Sequence, residues 1–280
     1  MPDKPTTAAG YPRDQAERVK ATCLYLATKL GDLMDELVVV GGLVPSLIID
    51  QEHLPENVTR HVGTLDLDLG LAFALVGGER YKEVAGRLRE AGFQADTNDE
   101  GKTTRQRWRI SEPPVTVDFL IEPEGVEGKP GSLFPLTKDW AAIIAPGLHL
   151  AFLDQQVVVI DGRTIAGEKA TRKIRVCGAG AYVVLKALAF RIRGENKDAY
   201  DLFYLLRNYG SGVADVSTLL KPLLQDPSTQ AAIGYLREDF LDPEAVGPRR
   251  VATFLYGRPD PETQADVVGF VRSLLEELCP

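Results

Sequence analysis

Thr64-Leu65-Asp66-Leu67-Asp68-Leu69 places two carboxylates two residues apart in a run that otherwise alternates with leucine. On a β-strand, successive side chains point to opposite faces of the sheet. Asp66 and Asp68 therefore share one face, and the leucines share the other, where they can pack into a core. Adjacent like charges repel unless a positive group joins them, and Mg²⁺ prefers one or two carboxylates together with phosphate oxygens. The same alternation is typical of any half-exposed strand, so a metal site and a solvated strand both remain open at this point.

A second strand is predicted upstream, where Leu37 to Val40 forms an apolar run that ends in Gly41-Gly42. An apolar helical pattern follows from Leu43 to Asp50. Glycine permits a positive φ and a close approach by another group, and the first turn of a helix presents free N–H groups to a phosphate. Pro45 suits the first helical turn, and Ser46 lies near the same end. Because turns use Gly-Gly pairs constantly, an ordinary turn is the alternative to a phosphate site.

A third strand is predicted over Val115 to Ile121, with Asp118 as the single acidic residue at its middle. Asp is depleted in strand interiors, and burial of a lone carboxylate is costly. Asp118 therefore either faces solvent or meets a cation.

Two basic runs accompany these strands. Arg105, Arg107 and Arg109 alternate along a strand that the segment Ser111 to Pro114 joins to the Asp118 strand, which predicts a hairpin. The second run consists of Lys169, Arg172, Lys173 and Arg175. Each run is either a solvated strand face or a track for phosphate or an RNA backbone, and the arginines of the first run would then line the approach to the carboxylates.

Two helices are predicted after Gly180, and they carry further charged residues. Lys186 and Arg193 are seven residues apart and share a helix face. Because Lys186 lies among apolar residues, it must reach a charge or snorkel to water. Asp198 and Asp201 also share a face. The simpler interpretation makes Asp198 an ordinary helix-start aspartate and Asp201 part of a surface salt bridge.

These motifs in this order resemble those of the DNA polymerase β-like nucleotidyltransferase superfamily: Val40-Gly41-Gly42, then Asp66-x-Asp68, then a lone Asp118. Thr64, Lys186 and the stretch Lys197-Asp198-x-x-Asp201-Leu202 resemble the AbiEii/MenT-type toxin branch of that superfamily. Where this branch often has an Arg two residues before the Thr, the chain has Val62, with Arg60 and His61 beside it. The resemblance spans roughly residues 35 to 205.

The resemblance implies a set of site residues. Asp66, Asp68 and Asp118 would hold two Mg²⁺ ions, or Mn²⁺ ions, that carry the triphosphate of an NTP substrate. Lys186 and Asp198 join these three as catalytic residues, with Lys186 neutralising phosphate and Asp198 and Asp201 positioning Lys186 or the acceptor. The residues that it implies for NTP binding are Gly41, Gly42, Ser46, Thr64, Lys186, Arg193 and Asp201.

The resemblance also implies an activity, the transfer of a nucleotide from an NTP to an acceptor hydroxyl with release of pyrophosphate. It suggests a toxin that modifies tRNA 3′ ends and is neutralised by a cognate antitoxin protein. A small-molecule nucleotidyltransferase of the antibiotic-modifying kind would share every motif. A non-catalytic relic that binds a nucleotide or a protein is the remaining alternative.

Composition sets limits on these hypotheses. The 280 residues include 40 acidic and 32 basic side chains, for a net charge of −8, which argues against a simple nucleic-acid-binding protein. The scattered Cys23, Cys177 and Cys279 fit a reducing cytosol. The isolated His53, His61 and His149 argue against a zinc site. No apolar run approaches the roughly 18 residues of a membrane span, so we expect a cytoplasmic protein with no membrane partner.

Strands early in the chain and helices later predict an α+β protein, in which a nucleotidyltransferase fold with a mixed β-sheet flanked by helices precedes a helical C-terminal region. We expect a nucleotidyltransferase domain over residues 15–178, a helical domain over 179–280 and a loose N-terminus over 1–14. A helix is predicted from Arg80 to Ala91, capped by Gly92. Loops are predicted near residues 52–62 and over 122–138.

Overall fold

The computed structural model describes residues 4–12, 14–56, 58–72, 78–98, 100–110, 114–122 and 128–278. Contacts between Cα atoms divide the chain into two compact units. The first unit contains residues 14–44 and 64–177, and the second contains residues 4–12, 45–63 and 178–278. The stretch 45–63, between the glycine turn and the D-x-D strand, thus belongs with the C-terminal helices.

The first unit is built on one sheet of parallel and antiparallel strands, as the sequence predicts. Its strands are β1 (Leu37–Val40), β2 (Asp66–Leu71), β3 (Gln94–Thr97), β4 (Thr103–Ile110), β5 (Val115–Ile121), β6 (Leu133–Pro135), β7 (Ala141–Ile144), β8 (Gln155–Arg163) and β9 (Lys169–Cys177). The main order is β3-β4-β5-β2-β1-β9-β8. Strand β2 is antiparallel to β1 and parallel to β5, while β4 is antiparallel to β5. Strand β7 runs parallel to the end of β5 and pairs with β6.

Helices pack on this sheet, and leucines from the D-x-D strand form part of the core. The helices of the first unit are α1 (Gln15–Leu30), α3 (Gly78–Glu90) and the single turn α4 (Leu150–Leu153). Leu67 and Leu69 are completely buried, as the alternation in β2 predicts. Gly92 ends α3 with a φ of +87°, and the Phe93 N–H donates to the Leu88 carbonyl oxygen at 2.9 Å. This arrangement confirms the predicted glycine cap.

The second unit is helical, with α2 (Val44–Ile48) at its first boundary. Its other helices are α5 (Ala179–Arg193), α6 (Asn196–Asn208), α7 (Val213–Leu220), α8 (Pro227–Phe240), α9 (Val246–Tyr256) and α10 (Pro261–Leu278). The N-terminal residues 4–12 pack onto this unit, so the expectation of a loose N-terminus is wrong for them. Tyr11 is buried edge-on against Phe254, with ring centroids 5.7 Å apart, and the Asn196 side chain donates to the Thr6 carbonyl oxygen at 2.9 Å.

Several predicted elements differ in length or were missed. The helix predicted over 43–50 is only the five residues of α2, because a 3₁₀ turn occupies Gly41–Leu43. The loop predicted over 122–138 contains β6, a strand of three residues. Helix α9 was not predicted, because its sequence begins with a Gly-Pro pair after its first residue. The antiparallel pairing of β4 with β5 confirms the predicted hairpin partners. Residues 111–113 of its connection, residues 123–127 and Cys279 lie outside the described residues. Within the described chain, no helix is both long and apolar enough to cross a membrane.

Candidate metal centre and buried charge cluster

The three predicted metal ligands converge on one face of the sheet. Asp68 on β2 lies directly beside Asp118 on the parallel strand β5, and Asp66 lies two residues before Asp68. One carboxylate oxygen from each of the three lies within 4.8 Å of the others. Asp66 and Asp118 are each 4% exposed, while Asp68 is half-buried. We call these three residues the acidic triad.

Asp68 can occupy this position because residue 41 has no side chain. Strand β1 pairs Val40 with Asp68 and then turns at Gly41. Gly41 has a φ of +71°, and a Cβ placed there would lie 1.9 Å from Asp68 Oδ2. The turn therefore needs glycine both for its backbone conformation and for the approach of the carboxylate. Gly42 is buried, and it is not among the glycines with positive φ.

The acidic triad already contacts one cation of the chain, Arg107 on β4. Arg107 is directly opposite Asp118 in the antiparallel β4–β5 pair. Its Nε donates to Asp118 Oδ1 at 2.7 Å, and Nη2 makes a second, shorter bond to the other carboxylate oxygen. Nη2 also lies 3.9 Å from Asp66 Oδ2. Burial opposes the charge on Arg107, but Asp118, Asp66 and Asp68 outweigh it and raise its pKa.

The donor set of the acidic triad suits a hard divalent cation. Each aspartate offers carboxylate oxygens, the ligands that Mg²⁺ and Mn²⁺ prefer over the nitrogen and sulfur ligands typical of zinc. Thr64 Oγ1 donates to Asp66 Oδ1 at 2.9 Å and so orients the first carboxylate. Like charges directly opposite each other on neighbouring strands are destabilising. A cation that joins Asp68 and Asp118 would offset this repulsion.

A second group of charges lies inside the helical unit. Lys186 on α5 is 5% exposed, and its Nζ donates to Asp198 at 2.9 Å and to Asp201 at 2.8 Å, both on α6. Arg193 Nε donates to Asp198 at 2.6 Å, so Lys186 and Arg193, which their seven-residue spacing places on one helix face, share a partner. Lys197 forms a further ion pair with Asp201. With His61, described below, these five residues form the buried charge cluster.

Asp198 lies in the first turn of α6, as the simpler interpretation describes, but neither aspartate of this cluster is a surface residue. Asp198 is 1% exposed and Asp201 is completely buried. Burial favours the neutral acid, but Lys186 and Arg193 outweigh it and lower the pKa of Asp198 to about 2. Lys186 and Lys197 likewise hold the pKa of Asp201 below its usual value. Burial opposes the charge of Lys186, but the two carboxylates raise its pKa, and both aspartates stay ionised.

His61 connects Ser46 to this cluster. Its Nδ1 lies 3.0 Å from Ser46 Oγ and accepts from the Gly63 N–H at 3.1 Å, while its Nε2 lies 2.9 Å from Asp201 Oδ1. Because a backbone N–H can only donate, Nδ1 is the acceptor and the ring proton sits on Nε2, from which it bonds Asp201. Burial and the charge of Lys197 lower the pKa of His61 to about 4, so the ring is neutral at pH 7.

The predicted site residues thus fall into two groups. Asp66, Asp68, Asp118, Thr64, Gly41 and Gly42 belong to the first unit, and Lys186, Asp198, Asp201, Arg193 and Ser46 belong to the second. The five-residue α2 is too short to support the phosphate-binding helix terminus expected near Ser46, whose hydroxyl contacts His61 instead.

Three residues in these contacts were not among the site residues predicted from the sequence. Arg107 was noted in the sequence only as one of three basic residues on its strand. The predicted hairpin with the Asp118 strand is the signal that could have identified Asp118 as its partner. Lys197 lies beside Asp198 in the motif itself. His61 carried no usable signal, because its contact with Asp201 joins positions 140 residues apart.

The two basic runs are largely exposed. Arg105 is exposed, and Arg109 is 38% exposed beside Asp96. On β9, Lys169, Arg172 and Lys173 are exposed.

No model of a protein family matches the chain, and no curated protein matches it.

Proposed function

We propose that this protein is a metal-dependent nucleotidyltransferase, which moves a nucleotide from an NTP to an acceptor hydroxyl and releases pyrophosphate. The observation that carries the proposal is the acidic triad: two aspartates side by side on parallel strands, a third two residues away, and carboxylate oxygens within 4.8 Å of one another. The motif resemblance is its second support.

The residues of the first unit have distinct roles in this proposal. Asp66, Asp68 and Asp118 would hold Mg²⁺ or Mn²⁺, which when bound neutralises the triphosphate and stabilises the entering and leaving oxygens of an in-line displacement. Thr64 holds the Asp66 carboxylate in place through its hydroxyl. Asp118 would also accept the proton of the attacking hydroxyl. Gly41 keeps the space that the Asp68 carboxylate occupies.

The buried charge cluster contributes a fixed charge in this proposal. Lys186 stays protonated between Asp198 and Asp201, so its role is to present a positive charge of constant position. Arg193, with a side chain 52% exposed, is the member of the cluster with most access to an anionic ligand.

For the acceptor, we propose the 3′ end of tRNA, which would make the protein a toxin with an antitoxin partner. The resemblance supports this choice, and so does the exposed basic surface of β9, whose lysines and arginines can meet phosphates.

The test is label transfer from α-³²P-labelled NTPs, supplied one at a time with Mg²⁺ or Mn²⁺, to total tRNA and to a panel of hydroxyl-bearing antibiotics. We expect label on tRNA, dependence on the cation and loss of transfer in Asp68→Asn. This substitution removes a carboxylate that repels Asp118, so the fold should tolerate it. The matched control is Asp139→Asn, an exposed aspartate of the same unit, which should keep full activity.

Three outcomes would count against parts of this proposal. Label on drugs alone would refute the tRNA acceptor and leave the transferase. Transfer that survives in Asp68→Asn or in excess EDTA would refute the role of the triad. Absence of any transfer with every NTP and acceptor would favour a non-catalytic binding protein.

A further inference from the structure

Arg107 is a cation in direct contact with the acidic triad. Its guanidinium donates to both carboxylate oxygens of Asp118, and its Nη2 lies 3.9 Å from Asp66 Oδ2. The side chain is 12% exposed, so solvent screens this interaction weakly. The strand register makes the contact a fixed feature, because Arg107 and Asp118 are direct partners across β4 and β5.

A divalent cation would need the same carboxylate. An ionised carboxylate has about four lone-pair sites, and the bidentate guanidinium uses one on each oxygen, so fewer sites remain for a cation. A cation bound to Asp118 would also lie close to the positive charge of Arg107 and be repelled by it. Metal affinity therefore depends on how much free energy is needed to break the ion pair between Arg107 and Asp118.

We propose that Arg107 and the divalent cation compete for Asp118, so that Arg107 sets the cation concentration at which the acidic triad fills. This inference rests on the proposed metal centre and adds a residue that tunes it. Arg107 is not a ligand of the cation. It acts by lowering the availability of one ligand and by adding a positive charge beside the site.

The proposal predicts an unusual direction of change. Replacement of a residue that supports a metal site normally weakens binding, roughly 10- to 100-fold. Arg107→Gln should instead tighten Mn²⁺ binding by roughly tenfold or more, a change of the same size in the opposite direction. Arg107→Lys keeps the charge but loses the bidentate fork, and it should give an intermediate affinity.

The experiment measures Mn²⁺ binding by electron paramagnetic resonance of the free ion, with the full chain and without nucleotide. Arg109→Gln is the matched control, since it removes the same charge from the same strand face, next to Asp96 rather than the triad. It should change the affinity less than about twofold, as expected of an exposed charge. Asp118→Asn should abolish the binding.

The outcomes separate this inference from the proposed function. Mn²⁺ binding that requires Asp118 but is unchanged or weaker in Arg107→Gln would overturn the competition and leave the metal centre. Absence of Mn²⁺ binding in the wild type and in Arg107→Gln would overturn both. If Arg107→Gln does not fold, the Arg107→Lys affinity decides: a gain supports competition, and no gain refutes it.

Discussion

The buried charge cluster gives a sharp stability prediction for Lys186→Met. The wild-type amine sits between two carboxylates that are at most 1% exposed. Methionine has a similar shape and volume, so the main loss is charge rather than packing. Breaking a buried ion pair by removing one partner costs about 3–5 kcal/mol. Asp198 keeps its bond from Arg193 and Asp201 keeps its ion pair with Lys197, so the low end of that range applies. At a urea m-value of about 2 kcal/mol/M, a loss of about 3 kcal/mol lowers the midpoint by about 1.5 M.

The control lies on the same helix. Arg191 also has two acidic partners, Glu238 and Asp239, at 2.9 and 2.8 Å, but its side chain is 42% exposed. Because exposed ion pairs contribute about 0–1 kcal/mol each, loss of both pairs in Arg191→Met should lower the midpoint by at most about 1 M. The comparison isolates burial from the number of ion pairs.

Urea unfolding followed by two spectroscopic signals separates the loss of stability in the helical unit from that in the first unit. The chain's two tryptophans, Trp108 and Trp140, are both buried in the first unit, so their fluorescence reports on the sheet. Far-UV circular dichroism reports mainly on the helices, most of which belong to the second unit. The loss in Lys186→Met should therefore be read from the circular dichroism transition.

Two results would refute the reasoning. One is a loss below about 1 kcal/mol in Lys186→Met, since a buried pair should cost more. The other is an equal loss in Arg191→Met. Adding Asp198→Asn and Asp201→Asn to Lys186→Met should lower the stability further, because it leaves Arg193 and Lys197 without their carboxylate partners.

Two further predictions concern Gly41 and His61. Gly41→Ala should weaken Mn²⁺ binding, and it should lower stability by more than Gly92→Ala does. Both substitutions introduce the strain of an alanine at positive φ, about 1–3 kcal/mol, but only the one at Gly41 brings a Cβ into collision with Asp68. Equal losses of stability by urea titration would show that Asp68 moves aside. His61 has a folded pKa of about 4 against an ordinary 6.5, so the unfolded chain binds more protons between these values. Stability should therefore fall by about 3 kcal/mol as pH drops from about 6.5 to 4. Urea midpoints across this range should fall less steeply in His61→Asn than in His53→Asn, an exposed control, and equal slopes would contradict the assignment.

The local pattern in the sequence determined the parts of the site that lie on single elements. The alternation in β2 puts Asp66 and Asp68 on one face and buries Leu67 and Leu69, because a strand's side-chain period is set by its backbone. The spacing on α5 likewise aligns Lys186 with Arg193, because a helix repeats every 3.6 residues. Such periods are properties of the local chain, so they can be predicted without knowledge of partners.

Apart from the β4–β5 hairpin, which the sequence predicts, tertiary structure alone decided which of these elements meet. The register that sets Asp118 beside Asp68 and opposite Arg107 joins three strands that are separate in sequence. The contact from His61 to Asp201 spans 140 residues. Burial also follows from packing, which excludes a surface salt bridge, the simpler interpretation of Asp201, and places this residue in the buried charge cluster. These features depend on how loops bring distant segments together, and no local period encodes that choice.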